Sequence, residues 1–190
     1  MWNAGKTVAM MKSPGERPSQ VRVSPASEDE RPLIEGLLQF YFYDFSEMEP
    51  PGSSEMEFNN EGRFDGYPYL DDYWRDDDRW PLLIRVGERL AGFAMINTHS
   101  HQGGQVERNM AEFFVARKYR RGGVASEAVR QILGRYPGQW EIAVVERNTA
   151  AQEFWPRAIA AVAGVWELQR IEGDGVHWRG PIWTFHSEAV

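Results

Sequence analysis

An apolar run, Met110–Val115, leads through a basic turn, Arg120-Arg121-Gly122-Gly123, directly into a helix-patterned segment at 124–133. This order constrains the chain more than any other feature, because it asks for strand, sharp turn and helix in close succession. Glycines let backbone N–H groups turn inward without a Cβ in the way, and a helix start presents unpaired donors and a positive dipole end. The two arginines add charge and forked hydrogen bonding suited to phosphate. The turn therefore reads as an anion site for something phosphorylated, against the plainer reading of a strand–helix turn with solvated arginines. No Gly-Lys-Ser/Thr follows, which excludes a P-loop, and the glycine spacing departs from the dinucleotide fingerprint.

The rest of the chain supplies a folded body for that turn. At 190 residues with 13% aromatics it can bury a full core and is unlike a disordered chain. No apolar run approaches the ~20 residues needed to span a bilayer, so no membrane partner is expected. Residues 1–19 lack the frame of a secretory signal and read as a mobile tail, with Met10 or Met11 as alternative starts. Residues 20–190 then form one domain. With no cysteine there is no disulfide, thiolate zinc site or cysteine nucleophile, and the cytoplasm is the expected location.

Secondary-structure signals alternate in an α/β order. A strand over 20–23 precedes Ser27-Glu28-Asp29-Glu30, a capping-box spacing, and a helix with Leu33, Ile34, Leu37, Leu38 and Tyr41 on one stripe. Residues 46–80 are loop-like, with a short helix near 69–75. Strands follow at 81–86 and 89–97, joined tightly at Gly87-Glu88, and another at 105–116. The helix at 124–133 should stop at Gly134, and a strand runs over 140–145. Asn148 caps a helix through Trp155, which Pro156 should end or kink. Two late strands, 165–171 and 176–186, flank the turn at 172–175.

Val115-x-Arg117-x-Tyr119-Arg120-Arg121-Gly122-Gly123-Val124-Ala125 resembles the acyl-CoA signature of the GNAT N-acetyltransferase superfamily, whose Arg/Gln-x-x-Gly-x-Gly/Ala core is matched by Arg120, Gly123 and Ala125. Asn148, Ala151, Phe154 and Trp155 are similar to its Asn-x-x-Ala-x-x-aromatic-Tyr helix, and Leu90-Ala91-Gly92-Phe93 to its third strand. The element order matches over roughly residues 20–186. The resemblance implies an α/β fold with a mixed, mostly antiparallel central sheet of six to seven strands flanked by helices. It implies acetyl-CoA as cosubstrate and transfer by direct attack of an amine. By the same resemblance, Arg120, Arg121, Gly122, Gly123, Val124, Ala125 and Ser126 hold the pyrophosphate, and Phe114 and Val115 offer backbone to pantetheine. Asn148, Phe154 and Trp155 belong to the same cofactor side.

Amine acetylation needs a base, a held acceptor and an oxyanion donor. The resemblance implies that strands four and five splay apart and that strand four bulges, which makes an amide near Val115 the expected oxyanion donor. Glu112 is the candidate base, placed by alternation on the face opposite Phe113 and Val115; its plainer reading is an edge carboxylate paired with an arginine. Trp155 stands where many members of the superfamily carry a tyrosine thought to protonate the leaving thiolate, and an indole N–H is no acid near neutral pH. Another group or water must then supply that proton, or the protein is a poor catalyst. Tyr119 reads as structural.

Charge points to the acceptor. Residues 44–78 hold twelve acids against two arginines, while the remaining chain is net basic. Within this stretch Tyr67, Tyr69, Asp71, Asp72, Tyr73 and Trp74 are candidates for a cation-receiving wall, the alternative being a solvated face. His99 is a further candidate on the acceptor side; with His101 it could act as a base, bind metal weakly, or belong to a solvated turn. No metal site is expected. Nucleic acid is not an expected partner, because no extended basic face is present. The acceptor is therefore a small-molecule or peptide amine, with a homodimer allowed but not required. The competing function is a non-catalytic acyl-CoA-binding regulatory module on the same fold.

Overall fold

Seven strands join in one sheet in the computed structural model, which describes residues 20–189. The tail expected at 1–19 lies outside the described residues. The strands are β1 (Val21–Pro25), β2 (Trp80–Val86), β3 (Arg89–His99), β4 (Gln105–Val115), β5 (Gly138–Ala143), β6 (Val165–Glu172) and β7 (Pro181–Ser187). The helices are α1 (Arg31–Ser46), the one-turn α2 (Asp72–Arg75), α3 (Val124–Arg135) and α4 (Thr149–Ala160). Strand order is β1-β2-β3-β4-β5-β7-β6, and every neighbouring pair is antiparallel except β4 with β5.

The central strands are covered on both sides, which explains their continuous rather than alternating apolar runs. Leu82, Leu83 and Ile84 of β2 are all fully buried. Leu83, Phe93, Met95 and Phe114 meet Ile34, Leu38 and Phe42 of α1 on one face. On the other face Leu82, Ile84, Ala94, Ile96 and Trp140 meet Val129, Ile132 and Leu133 of α3 and Ala158 and Ile159 of α4. Each such buried aliphatic side chain is worth about 1.5–3 kcal/mol of transfer free energy.

The elements depart from their expected bounds at four places, and at Gly134 and Pro156 packing overrides a local breaker. The first helix begins as a 3₁₀ turn at Glu28–Glu30, with the Glu30 carboxylate taking the Ser27 N–H at 3.1 Å. Helix α3 continues through Gly134 to Arg135, because Ile132 and Leu133 are fully buried and hold its last turn on the sheet. Helix α4 continues through Pro156 to Ala160; burial of Ala158 and Ile159 outweighs the hydrogen bond that proline cannot make. The last hairpin has a longer loop than expected, so β7 starts at Pro181. Within that loop the Asp174 carboxylate takes the N–H groups of Val176 at 2.8 Å and His177 at 2.7 Å.

Two irregularities shape the middle of the sheet. Strands β4 and β5 pair only at Arg108↔Trp140 and Asn109↔Glu141, and then separate. This leaves the β5-facing edge of β4 unpaired toward Val115. In addition, Met95 pairs with Glu112 whereas Ile96 pairs with Met110, so Ala111 is an unpaired bulge residue. Met110 therefore faces α3 and α4, while Glu112 turns to the α1 side. Without the bulge the two would share a face.

Candidate active site

Two cavities open along the split between β4 and β5. One, of about 670 Å³, lies at the α3 start and is lined by Arg121, Gly123, Ala125 and Ser126, with Phe114 and Val115 along the strand. Gly123 sits at φ +80, in the left-handed region open to glycine at low cost, and Arg121 shares that sign at φ +60. The first bond of the helix ladder runs from the Glu127 N–H to the Gly123 carbonyl at 3.0 Å, leaving the N–H groups of Val124, Ala125 and Ser126 without helical partners. Three free donors, a positive helix end and a nearby arginine form an anion cradle. Arg120 serves it indirectly: its Nε donates to the Val115 carbonyl at 2.7 Å and its guanidinium pairs with Asp44. Arg121 has no carboxylate partner among the described residues and is the cation left for a phosphate.

Arg120, Asn148, Phe154 and Trp155 also line this cavity. Asn148 caps α4, its Oδ1 accepting the Ala151 N–H at 3.0 Å. Gly122 and Val124 do not line it, since Val124 is a core residue whose contribution is its backbone N–H. The cradle and the unpaired strand edge fit a carrier with a pyrophosphate head and an amide-bearing arm.

The second cavity, of about 650 Å³, lies on the other side of the split, and Glu112, Tyr67, His101 and Trp178 line it. Tyr41, Phe113 and Trp155 line both cavities and form the wall between them. Trp155 is 5% exposed and packs edge-on to Phe113 at 5.2 Å. The Tyr41 hydroxyl donates to the Glu112 carboxylate, and Tyr67 reaches the same group. Burial pushes the Glu112 carboxyl up to about 7, against the pull of Tyr41, Tyr67 and the charge of His101. The neighbouring phenols of Tyr41 and Tyr67 are raised above the ordinary tyrosine value, chiefly by burial, and remain neutral donors.

A polar chain continues beneath Glu112. Tyr73, raised to about 12 mainly by burial, accepts from Asn97 Nδ2 at 3.2 Å, and Asn97 Oδ1 accepts from Asn109 Nδ2 at 2.9 Å. On β5, burial alone would raise Glu141, yet bonds from His101, Gln102 and Ser100 hold it at about 2. Those bonds fasten the β3–β4 loop over the cavity.

Several acceptor-side candidates stand elsewhere. Asp71 pairs with Arg31 at 2.5 Å, and Asp72 with Arg75, so this pair of acids is neutralised by neighbouring arginines. Trp74 donates its indole N–H to the Ala26 carbonyl at 3.0 Å, and Tyr69 is exposed outside the lining. Tyr73 lies under the cavity floor rather than on it. His99 turns away to Arg79, 3.0 Å distant. The acids that do line the cavity are Glu49, Glu55, Glu57 and Asp65, from the earlier part of the same acidic stretch. Sequence reading passed over Glu141 and Trp178, and saw Tyr41 only as part of the apolar stripe of α1. Tyr67, counted with the aromatic wall of the acidic stretch, does line this cavity.

A split parallel pair with unpartnered helix-start N–H groups on one side and a carboxyl on the other gives a carrier and a nucleophile room to meet at one wall. The acetyltransferase (GNAT) family model matches residues 40–159, more than half of the sequence, and the chain belongs to that family. It is an N-acetyltransferase. No curated protein matches the sequence. Among solved structures, a GNAT-family acetyltransferase from Staphylococcus aureus Mu50 aligns at TM-score 0.55 and 10% identity, covering 87% of this chain and 98% of that one. An acetyltransferase from Thermus thermophilus aligns at 0.57 and 12%, covering 88% and 96%. A spermidine N-acetyltransferase from Vibrio cholerae, in complex with CoA and spermine, aligns at 0.52 and 12%, covering 88% and 94%. At these identities the likeness is one of fold. No helix among the described residues is long and apolar enough to cross a membrane.

Proposed function

We propose that this enzyme transfers acetyl from acetyl-CoA to the amine of a small cationic molecule or peptide by direct attack. The observation that carries this reading is the meeting of two cavities at one wall, with Glu112 and Tyr41 at the junction. When bound, acetyl-CoA supplies an activated thioester carbonyl. The amides of Val124, Ala125 and Ser126, with Arg121, hold the pyrophosphate, and the free edge of β4 holds the pantetheine arm. An amide near Val115 faces the developing oxyanion. Glu55, Glu57 and Asp65 draw a cation into the second cavity, Glu49 being paired with Arg147 at 3.1 Å, in keeping with the spermine held by the Vibrio cholerae enzyme.

Glu112, with a carboxyl near neutral pKa, is suited to accept a proton from the amine at physiological pH. Trp155 cannot return a proton to the leaving sulfur. Tyr41 can relay one: it touches Glu112 and lines the carrier cavity, so its hydroxyl passes a proton to sulfur as it takes one from Glu112, with no free tyrosinate formed. This supports turnover rather than binding alone. The test is free thiol release from acetyl-CoA against a panel of polyamines, aminoglycosides, amino acids and peptides. Release above hydrolysis for a cationic amine is expected, and none for any amine would refute the reading.

A further inference from the structure

An alkylammonium substrate carries one proton too many for a single base. Such amines, with pKa values near the lysine range of about 10, are charged at neutral pH. The nitrogen must lose one proton to become a nucleophile and a second as the amide forms. The sulfur takes up one, so one must leave for solvent. Glu112 and Tyr41 account for the proton that reaches sulfur. The other needs a second acceptor facing the same cavity.

His101 is built for that task. It lines the acceptor cavity on the wall formed by the β3–β4 loop, where Gly103 and Gly104, at φ +88 and +90, turn the chain back. Behind it lies Glu141, 1% exposed on β5. Glu141 accepts from the His101 N–H at 2.5 Å, Ser100 Oγ at 2.8 Å and Gln102 Nε2 at 2.9 Å, and His101 Nδ1 lies at 3.2 Å. No lysine or arginine pairs with it among the described residues. An ionised carboxylate only accepts, so Nδ1 carries the hydrogen and Nε2 keeps its lone pair. The ring is braced edge-on by Trp178, centroids 4.4 Å apart, and Trp178 is anchored through its indole N–H to the Val144 carbonyl at 3.3 Å.

We propose that His101, oriented by the buried Glu141, accepts the first proton of the ammonium substrate and passes it to solvent, while Glu112 accepts the second. The proposal rests on the amine-acetylation reading above. The proton moves from the ammonium nitrogen to Nε2, giving a neutral amine and an imidazolium paired with Glu141. The C–N bond then forms and the C–S bond breaks. Glu112 takes the remaining proton and hands it to the Tyr41 hydroxyl as that hydroxyl passes its own to sulfur. His101, partly exposed, releases its proton to water, which balances the reaction at one proton per turnover. The charges facing His101 are Glu141 from β5, Glu112 from β4, and, across the cavity, Glu55, Glu57, Asp65 and the Glu49–Arg147 ion pair. On the loop carrying Trp178, Asp174 and His177 bind each other at 2.6 Å. Glu141 is thus a positioning residue, and His101 the group that meets the amine.

The experiment compares H101Q, E141Q and the double variant with the parent, using the best alkylamine of the panel and its analogue carrying a trifluoromethyl group on the amine-bearing carbon. The analogue is largely neutral at pH 7 and has already shed the proton that His101 would take. Expected is a fall in kcat of about 100-fold for the alkylamine in H101Q, and less than threefold for the analogue. E141Q should follow H101Q, and the double variant should be no worse than H101Q alone. Unchanged acetyl-CoA affinity by calorimetry shows that the variants are folded. An equal loss on both acceptors, or no loss on either, overturns the proposal. A second readout needs no acceptor: ¹⁵N spectra of labelled imidazoles should show the His101 hydrogen on Nδ1 in the parent and redistributed in E141Q. A hydrogen on Nε2 in the parent overturns the proposal directly. A parent silent toward every amine instead removes the acceptor reading, and the proposal with it.

Discussion

Glu112→Gln tests the catalytic role proposed for this carboxyl through stability as well as rate. Burial raises the Glu112 carboxyl from 4.5 to about 7 in the folded protein. In the unfolded chain it titrates near the ordinary value of about 4.3. Between these values the folded state holds a proton that the unfolded state has lost, so the parent loses stability as pH rises from about 4.5 to 7. Each pKa unit is worth about 1.4 kcal/mol, which sets a ceiling of about 3.5–4 kcal/mol. The carboxyl stands at the base of an open cavity, where water moderates the penalty, so about 1–2 kcal/mol is expected. Glutamine keeps an acceptor for Tyr41 but carries no charge. Relative to the parent, E112Q should therefore gain about 1–2 kcal/mol between pH 5 and pH 8 in urea unfolding. Glu141, Glu30 and Glu127, whose carboxyls are held below their usual values, act below this window and are common to both proteins. In kinetics, the acidic limb near pH 7 should disappear in E112Q, with kcat reduced about 100-fold or more. Parallel stability curves for the two proteins across pH 5–8 would refute the buried-carboxyl argument.

Other perturbations separate the two sides of the cleft. Arg121→Ala should weaken acetyl-CoA about tenfold in calorimetry, as expected for a lost charged hydrogen bond of about 1.5 kcal/mol, and Gly123→Glu should abolish binding by straining a left-handed position and adding negative charge to the cradle. Changing Asp71 and Asp72 together to Asn should leave the acceptor KM unchanged, because arginines already neutralise them, whereas changing Glu55, Glu57 and Asp65 to Gln and Asn should raise it with acetyl-CoA affinity preserved. Gly92→Ala should destabilise the fold by about 2–3 kcal/mol in thermal unfolding, since a Cβ there would lie 2.0 Å from the Phe114 carbonyl oxygen on the neighbouring strand.

The strand–turn–helix at 110–133 was legible because its determinants are local. Glycine conformational freedom, arginine chemistry and a 3.6-residue apolar period act within a few residues of one another. The same holds for Asn148 as a cap, whose bond reaches only to Ala151. Helix ends were less legible. Gly134 and Pro156 are local breakers, yet Leu133 and Ile159 are fully buried on the sheet and carry their helices past them. Which acids face the cleft could not be read from charge, because Arg31 and Arg75 claim Asp71 and Asp72 while the equally acidic Glu55 and Glu57 line the cavity.

By itself, the sequence determined the α/β order, the glycine-bearing turn that opens a helix and the presence of a carboxylate on the strand before it. Those depend on backbone propensity and side-chain chemistry over short spans. Only the tertiary structure decided what the carboxylate meets. The bulge at Ala111 sets the face to which Glu112 turns, and α1 brings Tyr41 to it from 71 residues away in sequence. The separation of β4 from β5 opens the cleft, and Glu141, distant from His101 in sequence, selects that histidine over His99. Such pairings depend on strand register and on burial, which raises the energetic stake of every polar contact, and neither is written in the residues on one side alone.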